Sequence, residues 1–367
     1  MRSINIAILG STGIVGQRFV QMLTNHPYFK IKALLASDRS AGKPYGQVCN
    51  WLIGREMPEA VRSLVVKEAK IEELEGKDVE IVFSALPSDI AKEVEPQFAK
   101  AGYKVFSNAS AFRMEEDVPL VVAEINADHM ELVKVQQKNR GWKGFIVTNP
   151  NCTTIIMCLP LKALDDAFGV REVVVSTMQA ISGAGYPGVA SLDIVDNVLP
   201  YIAGEEEKVE AEPLKILGKM SSLKYQMSNQ IQNPNVKIVP ADIKISASCQ
   251  RVPVIDGHLE DLHVSLKKPA TIDEVKKILY NFESKFKKTP SSPERLIIVS
   301  DDPIRPQPKL DRLAGAGMSI TVGRIRKDSV LENGVKMTIL GHNTIRGAAG
   351  QSILNAERWV EEFYGKN

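Results

Sequence analysis

The sequence has few cysteines and no long apolar run, and its charges nearly cancel. Of its 367 residues, 46 are basic and 44 acidic, which gives a formal net charge of +2. A balanced chain without a basic tract is not typical of a protein that binds nucleic acid or an acidic membrane surface. No apolar run reaches the roughly 18 residues of a membrane helix, and the N-terminus continues directly into a strand pattern. We therefore expect a cytoplasmic protein that binds neither nucleic acid nor membrane.

The cysteines are too widely spaced to form a metal site or a disulfide framework. There are four of them, with no Cys-x-x-Cys pair: Cys49, Cys152, Cys158 and Cys249. This spacing predicts no zinc site, no other metal and no structural disulfides, so any cysteine chemistry would involve a single thiol. Apolar residues, in contrast, make up 44% of the chain. A chain of this length and composition can bury a sizeable core and is expected to divide into two domains.

The predicted fold class is α/β, with an N-terminal Rossmann-like domain and a C-terminal α+β domain. Strand and helix patterns alternate over the first 150 residues, which predicts βαβ units and a doubly wound parallel sheet over 1–151. After Cys152 the strands are longer and more alternating, as in an antiparallel sheet that is covered on one face. We assign 152–342 to this second domain. Residues 343–367 have the pattern of an amphipathic helix that packs back on the first domain.

A glycine-rich stretch, GSTGIVG, follows the first apolar strand. Glycines at this spacing allow a tight turn and a close approach of backbone amides to a pyrophosphate at the start of a helix. The pattern is GxxGxxG rather than GxGxxG, so a purely structural strand-turn-helix is the alternative. The predicted cofactor contacts in this stretch are Gly10, Ser11, Thr12, Gly13, Ile14 and Val15.

The end of the second strand bears on the choice of dinucleotide. Hydroxyl groups and an arginine at this position, here Ser37, Arg39 and Ser40, suit the 2′-phosphate of NADP. Asp38 is the counter-evidence, because an acidic residue there usually bonds the ribose hydroxyl of NAD. A solvated loop with no ligand is the remaining alternative. Two later strand ends, which contain Leu86 and Asn108, are further predicted cofactor-lining loops.

Cys152 lies between a strand pattern and a helix pattern in the stretch TNPNCTT. At the start of a helix, backbone N–H groups and the helix dipole favour a thiolate, and the amides together with Asn151 could donate to an oxyanion. Most cysteines are small buried hydrophobes, and the other three cysteines fit that description. Cys152 is therefore the predicted nucleophile.

A nucleophilic thiol needs a proton acceptor, and His258 is the favoured histidine. It lies in the stretch QRVPVIDGH, where Asp256 and Gly257 predict a hairpin shared with Arg251. The arginine can clamp a substrate carboxylate, and the imidazole can act as acid or base. His342, in a polar stretch, is the alternative candidate. The remaining histidines, His26, His129 and His263, are expected to be structural.

Several motifs together resemble one family, and they occur in the same order along nearly the whole chain. They are GSTGIVGQ, SNAS.FR, NPNCTT, QAISGAGYPG, GEEEK, QRVPVIDGH and HNTIRGAAG. The sequence resembles the aspartate-semialdehyde dehydrogenases, in particular their archaeal and fungal branch. The resemblance implies a second domain of the glyceraldehyde-3-phosphate dehydrogenase-like kind, with 152–342 serving catalysis and oligomerisation. It also implies NADP-dependent conversion of L-aspartyl-4-phosphate to L-aspartate-4-semialdehyde by a homodimer or homotetramer.

The resemblance also implies roles for individual residues. Cys152 resembles the nucleophile that forms a thioester, His258 the general acid/base, and Gln179 the residue that orients the intermediate. Arg251 and Glu205 resemble the pair that holds the substrate, with Glu206 nearly as good a choice as Glu205. The positions that match the phosphate-binding residues are Arg113, Lys208 and Asn151. Those that match residues lining the nicotinamide are Ser182, Gly183 and Asn343.

Other functions are possible for related folds. The N-acyl-glutamyl-phosphate reductases carry glycine and tyrosine around their cysteine, where this chain has Asn151 and Thr153. The malonyl- or succinyl-CoA reductases share SGAGYPG but depart at the NPNC and GEEEK positions. A binding protein that has lost catalysis would have replaced its catalytic residues, and a nucleic-acid scaffold would carry a basic stripe. The sequence favours the phosphorylating dehydrogenase.

Overall fold

The structure is a computed structural model, and it describes residues 3–54, 56–221 and 236–364. The chain divides into two compact units. The first comprises the described residues of Met1–Pro150, Gly218–Pro240 and Ser352–Asn367, and the second comprises Asn151–Leu217 and Ala241–Gln351. The predicted domain boundaries after residues 151 and 342 stay predictions. No helix among the described residues is both long and apolar enough to cross a membrane.

The first unit contains a six-stranded parallel sheet. Its strands are β1 (Ile4–Leu9), β2 (Phe29–Ala36), β3 (Lys67–Glu68), β4 (Ile81–Ser84), β5 (Lys104–Ser107) and β6 (Phe145–Thr148). The order β3-β2-β1-β4-β5-β6 is that of a doubly wound Rossmann sheet, as predicted. The helices of this part of the chain are α1 (Ile14–Leu23), α2 (Tyr45–Val48), α3 (Glu59–Arg62), α4 (Ser88–Ala101), α5 (Ala123–Asn126) and α6 (Leu132–Arg140).

The parallel strands of this sheet end side by side. Leu9 of β1 is paired with both Leu35 of β2 and Ser84 of β4, and Ser84 is paired in turn with Ser107 of β5. The loops that follow these strands therefore meet at one edge of the sheet, where nucleotides bind in folds of this kind. The predicted cofactor loops at residues 10–15, 37–40, 86 and 108 all belong to this edge.

The remaining elements follow Pro150 in the chain. They are α7 (Cys152–Phe168), β7 (Val170–Gln179), α8 (Ser191–Ile194), α9 (Glu205–Ile216), β8 (Lys219–Met220), β9 (Ile238–Val239), β10 (Lys244–Arg251), β11 (His258–Leu266), α10 (Ile272–Tyr280), β12 (Ile297–Ser300), α11 (Pro308–Asp311), β13 (Ile320–Lys327), β14 (Gly334–Gly341) and α12 (Gly350–Glu362).

Helix α12 contributes side chains to the core of the first unit. Trp359 meets Phe145 of β6 edge-on with ring centroids 5.3 Å apart. Asn355 is buried; its Oδ1 accepts from the Ala123 amide and its Nδ2 donates to the Val121 carbonyl. This segment, which was predicted to be an amphipathic helix, is buried almost all round rather than on one face.

The second unit contains a six-stranded sheet in the order β10-β7-β11-β14-β13-β12. Its four central strands are antiparallel, but the outer pairs β10–β7 and β12–β13 are parallel. The expected antiparallel sheet is therefore present in the centre, but not in the two outer pairs. Strand β10 can run parallel to β7 because the long connection between them, which includes α9, carries the chain back to the same end of the sheet.

One face of this second sheet is packed against helices. Helix α7 contacts β7, β11 and β14, and α9 contacts β10. Side chains along β7 and β10 alternate between buried and exposed, with Val174 at 46% relative exposure and Ser176, Ser246 and Ser248 also exposed. An alternating pattern of this kind is typical of a sheet with one covered and one open face.

Candidate active site

Cys152 is the first residue of α7, and its sulfur lies beside the predicted histidine. The distance from Cys152 Sγ to His258 Nε2 is 3.1 Å. Of the four free cysteines only Cys152 is partly exposed. Burial raises the pKa of Cys49 and Cys158, and it raises that of Cys249 to about 11. Those three thiols therefore stay protonated at neutral pH, while Cys152 has the position expected of a nucleophile.

The hydrogen bonds of His258 determine where its ring proton lies. Its Nδ1 accepts a hydrogen bond of 3.0 Å from the Ala180 amide, so the proton must be on Nε2, which faces Cys152. Burial lowers the pKa of this fully buried imidazole well below its usual value, and electrostatic interactions with Arg251 and His342 lower it further. His258 is therefore neutral at neutral pH, and it donates towards the sulfur.

Asn151 caps the helix that carries the nucleophile. Its Oδ1 accepts from the amides of Thr153 and Thr154, at 2.9 and 3.2 Å. An asparagine at this position is a strong N-cap because it satisfies donors that the helix leaves unpaired. The amides of Thr153 and Thr154 are thus bonded within the protein, and the expectation that amides at this helix start donate to an oxyanion stays a prediction.

Arg251 and Gln179 lie at the ends of neighbouring strands. Arg251, the last residue of β10, is directly opposite Gln179, the last residue of β7. The Arg251 guanidinium is buried, and its Nη1 donates to the Ala180 carbonyl at 2.9 Å. Burial lowers the pKa of this guanidinium, and the negative charges of Cys152 and Glu205 raise it.

The predicted hairpin between Arg251 and His258 is wrong, although the two residues are neighbours. Strand β7 lies between β10 and β11, so each residue approaches the end of β7 from a different side. Gly183 packs into the same place, because a Cβ added there would lie 2.8 Å from Arg251 Nη1 and 3.2 Å from His258 Cε1. The Asp256-Gly257 turn signal could not reveal a strand that inserts from elsewhere in the chain.

The two candidate glutamates of GEEEK have different partners. Glu205, the first residue of α9, is buried; its Oε1 accepts from Asn151 Nδ2 at 2.8 Å, and its Oε2 lies 3.4 Å from Lys208 Nζ. Glu206 instead accepts from the Cys249 amide at 2.9 Å, which satisfies an edge donor of β10. This arrangement favours Glu205 as the substrate ligand.

A second row of side chains lies next to the row that contains Gln179 and Arg251, and the sequence analysis missed it. Thr177, two residues before Gln179 on β7, is opposite Cys249 on one side and Glu260 on the other. Glu260 is fully buried, and neither of its oxygens has a hydrogen-bond partner among the described residues. Burial raises the pKa of this carboxyl well above its usual value, and the charge of Glu205 raises it further. A glutamate on the buried face of a strand is the signal that could have revealed this layer.

The glycine-rich turn of the first unit fits the phosphates of a dinucleotide. Gly10 has a φ of +71°, and a Cβ there would lie 2.6 Å from the Ala85 carbonyl oxygen, so only glycine suits this turn. Helix α1 begins after Gly13 without a side-chain cap. The buried Ser11 hydroxyl has no hydrogen-bond partner within the described part of the chain. A helix start with open amides and a spare hydroxyl is suited to an anion.

The other predicted cofactor residues of the first unit lie in loops at the same sheet edge. Ser37–Ser40 forms an exposed turn, in which the Arg39 amide donates to Asp38 Oδ1 at 2.8 Å. Leu86 follows β4, and its amide nitrogen would lie 3.3 Å from a Cβ at Gly10. Asn108 follows β5, and its backbone carbonyl accepts from Arg113 Nη2 at 2.7 Å.

The residues predicted to line the nicotinamide are in the second unit. Asn343 Nδ2 donates to Ser182 Oγ at 2.8 Å, and Asn343 Oδ1 accepts from the Gly257 amide. The structure therefore brings Ser182, Gly183 and Asn343 near the Arg251 and His258 end of the sheet. Within the described ranges, no group of three or more His, Cys, Asp or Glu side chains is placed to hold a metal ion.

Two protein-family models match the chain. The model described as "Semialdehyde dehydrogenase, NAD binding domain" matches residues 5–133, and the one described as "Semialdehyde dehydrogenase, dimerisation domain" matches residues 161–346. The two matched ranges include Cys49, Gln179 and His258, while Cys152 and Cys158 lie between them.

Curated relatives match the chain over nearly its full length. The aspartate-semialdehyde dehydrogenase of Archaeoglobus fulgidus is 56% identical over 361 residues, which are 98% of this chain and 98% of the relative. That of Methanothermobacter thermautotrophicus is 50% identical over 96% of this chain and 98% of the relative, and that of Schizosaccharomyces pombe is 46% identical over 97% and 98%.

Solved structures give the same result. The aspartate-semialdehyde dehydrogenase of Candida albicans, crystallised with NADP, is 41% identical with a TM-score of 0.83 and covers 98% of both chains. Aspartate-semialdehyde dehydrogenase II of Vibrio cholerae, complexed with ASA, is 26% identical with a TM-score of 0.76 over 99% of this chain and 100% of that one. This chain belongs to the aspartate-semialdehyde dehydrogenase family.

Proposed function

We propose that the protein catalyses the NADPH-dependent reductive dephosphorylation of L-aspartyl-4-phosphate to L-aspartate-4-semialdehyde. The reaction would proceed through a thioester on Cys152. The observation that carries this proposal is the 3.1 Å contact between Cys152 Sγ and His258 Nε2, with Arg251 and Glu205 held in the same unit. Such an arrangement supports covalent catalysis at an acyl group. The same reaction in the amino-acid-producing direction supplies precursors of lysine, threonine and methionine.

Arg251 and Glu205 are suited to the two charged groups of an amino-acid substrate. The buried guanidinium of Arg251 can bind the α-carboxylate in a bidentate manner, and the Glu205 carboxylate can bind the α-ammonium group. Lys208, which is partly exposed beside Glu205, is suited to the transferred phosphate. We assign Arg113 and Asn151 to the same phosphate on the family resemblance.

The covalent steps balance without a separate base. The Cys152 thiolate attacks the acyl phosphate carbon, and the carbon–oxygen bond to phosphate breaks, which leaves a thioester. When bound, NADPH supplies the hydride that adds to the thioester carbon. The tetrahedral oxyanion then collapses, the carbon–sulfur bond breaks, and the aldehyde leaves with the thiolate regenerated. Gln179, at the end of β7, is assigned to the orientation of the acyl group.

His258 would act in these steps as a hydrogen-bond donor. Because its Nδ1 already accepts from Ala180, its Nε2–H can donate first to the Cys152 thiolate and then to the carbonyl oxygen on which charge develops. A proton shuttle through His258, as the sequence analysis expected, would require the ring to gain a second proton and to lose the Ala180 bond. The geometry therefore supports oxyanion stabilisation by a neutral imidazole.

The residues of the glycine-rich turn would hold the pyrophosphate of NADP. The open amides at the start of α1 and the spare Ser11 hydroxyl are its donors. Ser37, Arg39 and Ser40, in the exposed turn after β2, are suited to the 2′-phosphate, while Asp38 Oδ1 accepts from the Arg39 amide within the turn. We assign the nicotinamide end to Ser182, Gly183 and Asn343.

The open face of the second sheet supports a homo-oligomer. Val174 is 46% exposed on this face, where it lies opposite Ser246 on one side and His263 on the other, so an apolar side chain is available for contact with a second copy of the chain. The family model over this part of the chain is a dimerisation domain. We propose a dimer or a tetramer built through this unit, located in the cytoplasm.

The test is an assay in the reverse direction. Purified protein is mixed with aspartate semialdehyde, phosphate and NADP, and the absorbance of the reduced cofactor is followed. We expect NADP reduction that depends on phosphate, with weaker or no reduction of NAD. Activity only when coenzyme A replaces phosphate would assign the protein to the CoA-reductase reaction instead. The roles of Arg113 and Lys208 would then be wrong.

A further inference from the structure

The residue before the nucleophile is held by a carboxylate from another helix. The backbone N–H of Asn151 donates to Glu212 Oε2 at 2.6 Å. Glu212 lies on α9 and is only 1% exposed, and Asn151 is 6% exposed. A charged acceptor makes such a buried hydrogen bond short and strong. This bond fixes the backbone at the point where the chain enters α7 with Cys152.

The bond completes a helix cap whose usual partner is missing. In a capping box, the glutamate or glutamine at the third helical position accepts from the amide of the capping residue. Helix α10 has such a box, with Thr271 as cap and Glu274 as its partner. In α7 the third position is Thr154, whose side chain is not an acid or amide. Glu212 supplies from α9 the acceptor that α7 itself lacks.

The same face of α9 holds Asn151 a second time. Glu205 and Glu212 are seven residues apart, which places them on one side of the helix, two turns from each other. Glu205 accepts from the Asn151 side-chain amide, and Glu212 accepts from its backbone amide. Helix α9 therefore determines the position of the α7 N-terminus, and it does so with a carboxylate that also belongs to the proposed substrate site.

We propose that Glu212 is a positioning residue for Cys152, which keeps the sulfur oriented towards His258. It acts through the Asn151 backbone and does not touch the reacting atoms. The inference rests on the proposed function for its effect on turnover. Its effect on the reactivity of the free thiol does not depend on which substrate the enzyme uses.

The test compares Glu212→Ala and Glu212→Gln with a matched control, Glu210→Ala. Glu210 lies on the same helix and also accepts from a backbone amide, that of Ala247 at 3.0 Å on the sheet edge. The measurements are the alkylation rate of Cys152 with iodoacetamide without substrate, followed by peptide mass spectrometry, together with kcat, KM, NADP affinity and melting temperature.

We expect Glu212→Ala to slow alkylation of Cys152 and to lower kcat by roughly tenfold or more, because a misplaced nucleophile loses most of its reactivity. NADP affinity should not change. Glu212→Gln should retain most of the alkylation rate and most of kcat, since its carbonyl oxygen can accept a hydrogen bond from the same amide. Glu210→Ala should lower the melting temperature without slowing alkylation.

Two results would overturn the proposal. One is a Glu212→Ala variant that folds and is alkylated at the wild-type rate, and the other is equal slowing by Glu210→Ala. If Glu212→Ala does not fold, Glu212→Asp replaces it, because its shorter side chain keeps the charge but withdraws from Asn151. Alkylation of Glu212→Asp at the wild-type rate would likewise contradict the proposal. Failure of the reverse-direction assay with wild-type protein would overturn the proposed substrate, but it would leave the alkylation result interpretable.

Discussion

The two units each place a helix after a strand and a polar loop, but the two helices begin differently. Helix α1 starts after Gly13 with no side-chain cap, and the Ser11 hydroxyl beside it has no partner among the described residues. Helix α7 starts after Asn151, whose side chain accepts from two of its amides. The first helix start is left open for an external anion, whereas the second is closed by the protein itself.

The difference shows how each unit would use its helix. An uncapped helix N-terminus favours the binding of an anion, because its amides lack hydrogen-bond acceptors and the positive end of the helix dipole attracts negative charge. A capped N-terminus instead holds its first residue in a defined place, and Cys152 is that residue. The environment of the sulfur must then come mainly from neighbouring strands, and His258 and Arg251 provide it.

The two units also bury a carboxyl group in different ways. Glu95 in the first unit accepts from Ser107 Oγ at 2.6 Å, and burial raises its pKa to about 7 while that hydrogen bond lowers it. Glu260 in the second unit has no partner for either oxygen among the described residues. Burial alone would favour the protonated form of both, and only Glu95 has a hydroxyl that opposes it.

The largest expected effect is the loss of turnover, without loss of NADP binding, when the predicted nucleophile is replaced. Cys152→Ala should abolish turnover, a loss of about a thousandfold or more, because no other described thiol lies beside His258. NADP binding, measured by fluorescence titration, should be largely intact. Cys158→Ala is the control, since that thiol is buried in the core and should affect stability rather than chemistry. Lost cofactor binding in a folded Cys152→Ala protein would contradict the assignment.

The next effect tests whether the open helix start receives the cofactor. A Cβ at Gly13 would meet no protein atom closer than 3.6 Å, so Gly13→Ala should leave the melting temperature nearly unchanged. The added methyl group should nevertheless keep the pyrophosphate away from the α1 amides and weaken NADP binding by roughly tenfold. Gly10→Ala is the contrasting variant, because its φ of +71° and its contact with Ala85 should destabilise the fold itself. Wild-type NADP affinity in Gly13→Ala would show that the cofactor does not approach this turn.

The last prediction concerns the buried carboxyls, whose replacement should change stability and not the chemistry of the site. A folded-state pKa above the unfolded value means that stability is lost as the pH rises through the folded pKa. For Glu95 this loss falls between about pH 4.5 and about pH 7. A glutamine at this position does not titrate, so the free energy of unfolding of Glu95→Gln should improve relative to wild type by roughly 3 kcal/mol over this range. Burial raises the pKa of Glu260 as well, so Glu260→Gln should likewise gain stability relative to the wild-type protein as the pH rises.

Melting temperatures at about pH 5 and about pH 8 would check both variants against wild type. Each glutamine variant should gain more over the wild-type protein at the higher pH than at the lower one. An equal difference at both values would show that the carboxyl group binds no more protons in the folded protein than in the unfolded one.

Local sequence patterns were sufficient to predict the main elements of the first unit. The apolar run of β1, the glycine turn and the helix after it are neighbours in the chain, and they form the expected strand, turn and helix. The order of the parallel strands also follows from alternation of strands and helices, since crossovers place consecutive strands in few ways. The predicted cofactor loops meet at one edge because parallel strands end together.

In the second unit, local patterns did not predict the contacts between residues that are distant in the chain. A turn signal between Arg251 and His258 predicted a hairpin, yet β7 separates their strands. The bond from Asn151 to Glu212 joins residues 61 positions apart, and nothing in either local stretch indicates it. Glu206 and Glu205 are adjacent in sequence, but the turn of the helix directs one to a sheet edge and the other to Asn151.

The sequence by itself determined the fold class and the family, and it predicted Cys152 as the nucleophile, because these depend on local periodicity and on motifs whose residues are neighbours in the chain. Only the tertiary structure decided which ring nitrogen of His258 carries the proton, which glutamate accepts from the Asn151 side chain, and which accepts from the Asn151 backbone amide. Those features depend on contacts between backbone amides and side chains of separate strands and helices. The local pattern of a single chain segment does not indicate such contacts.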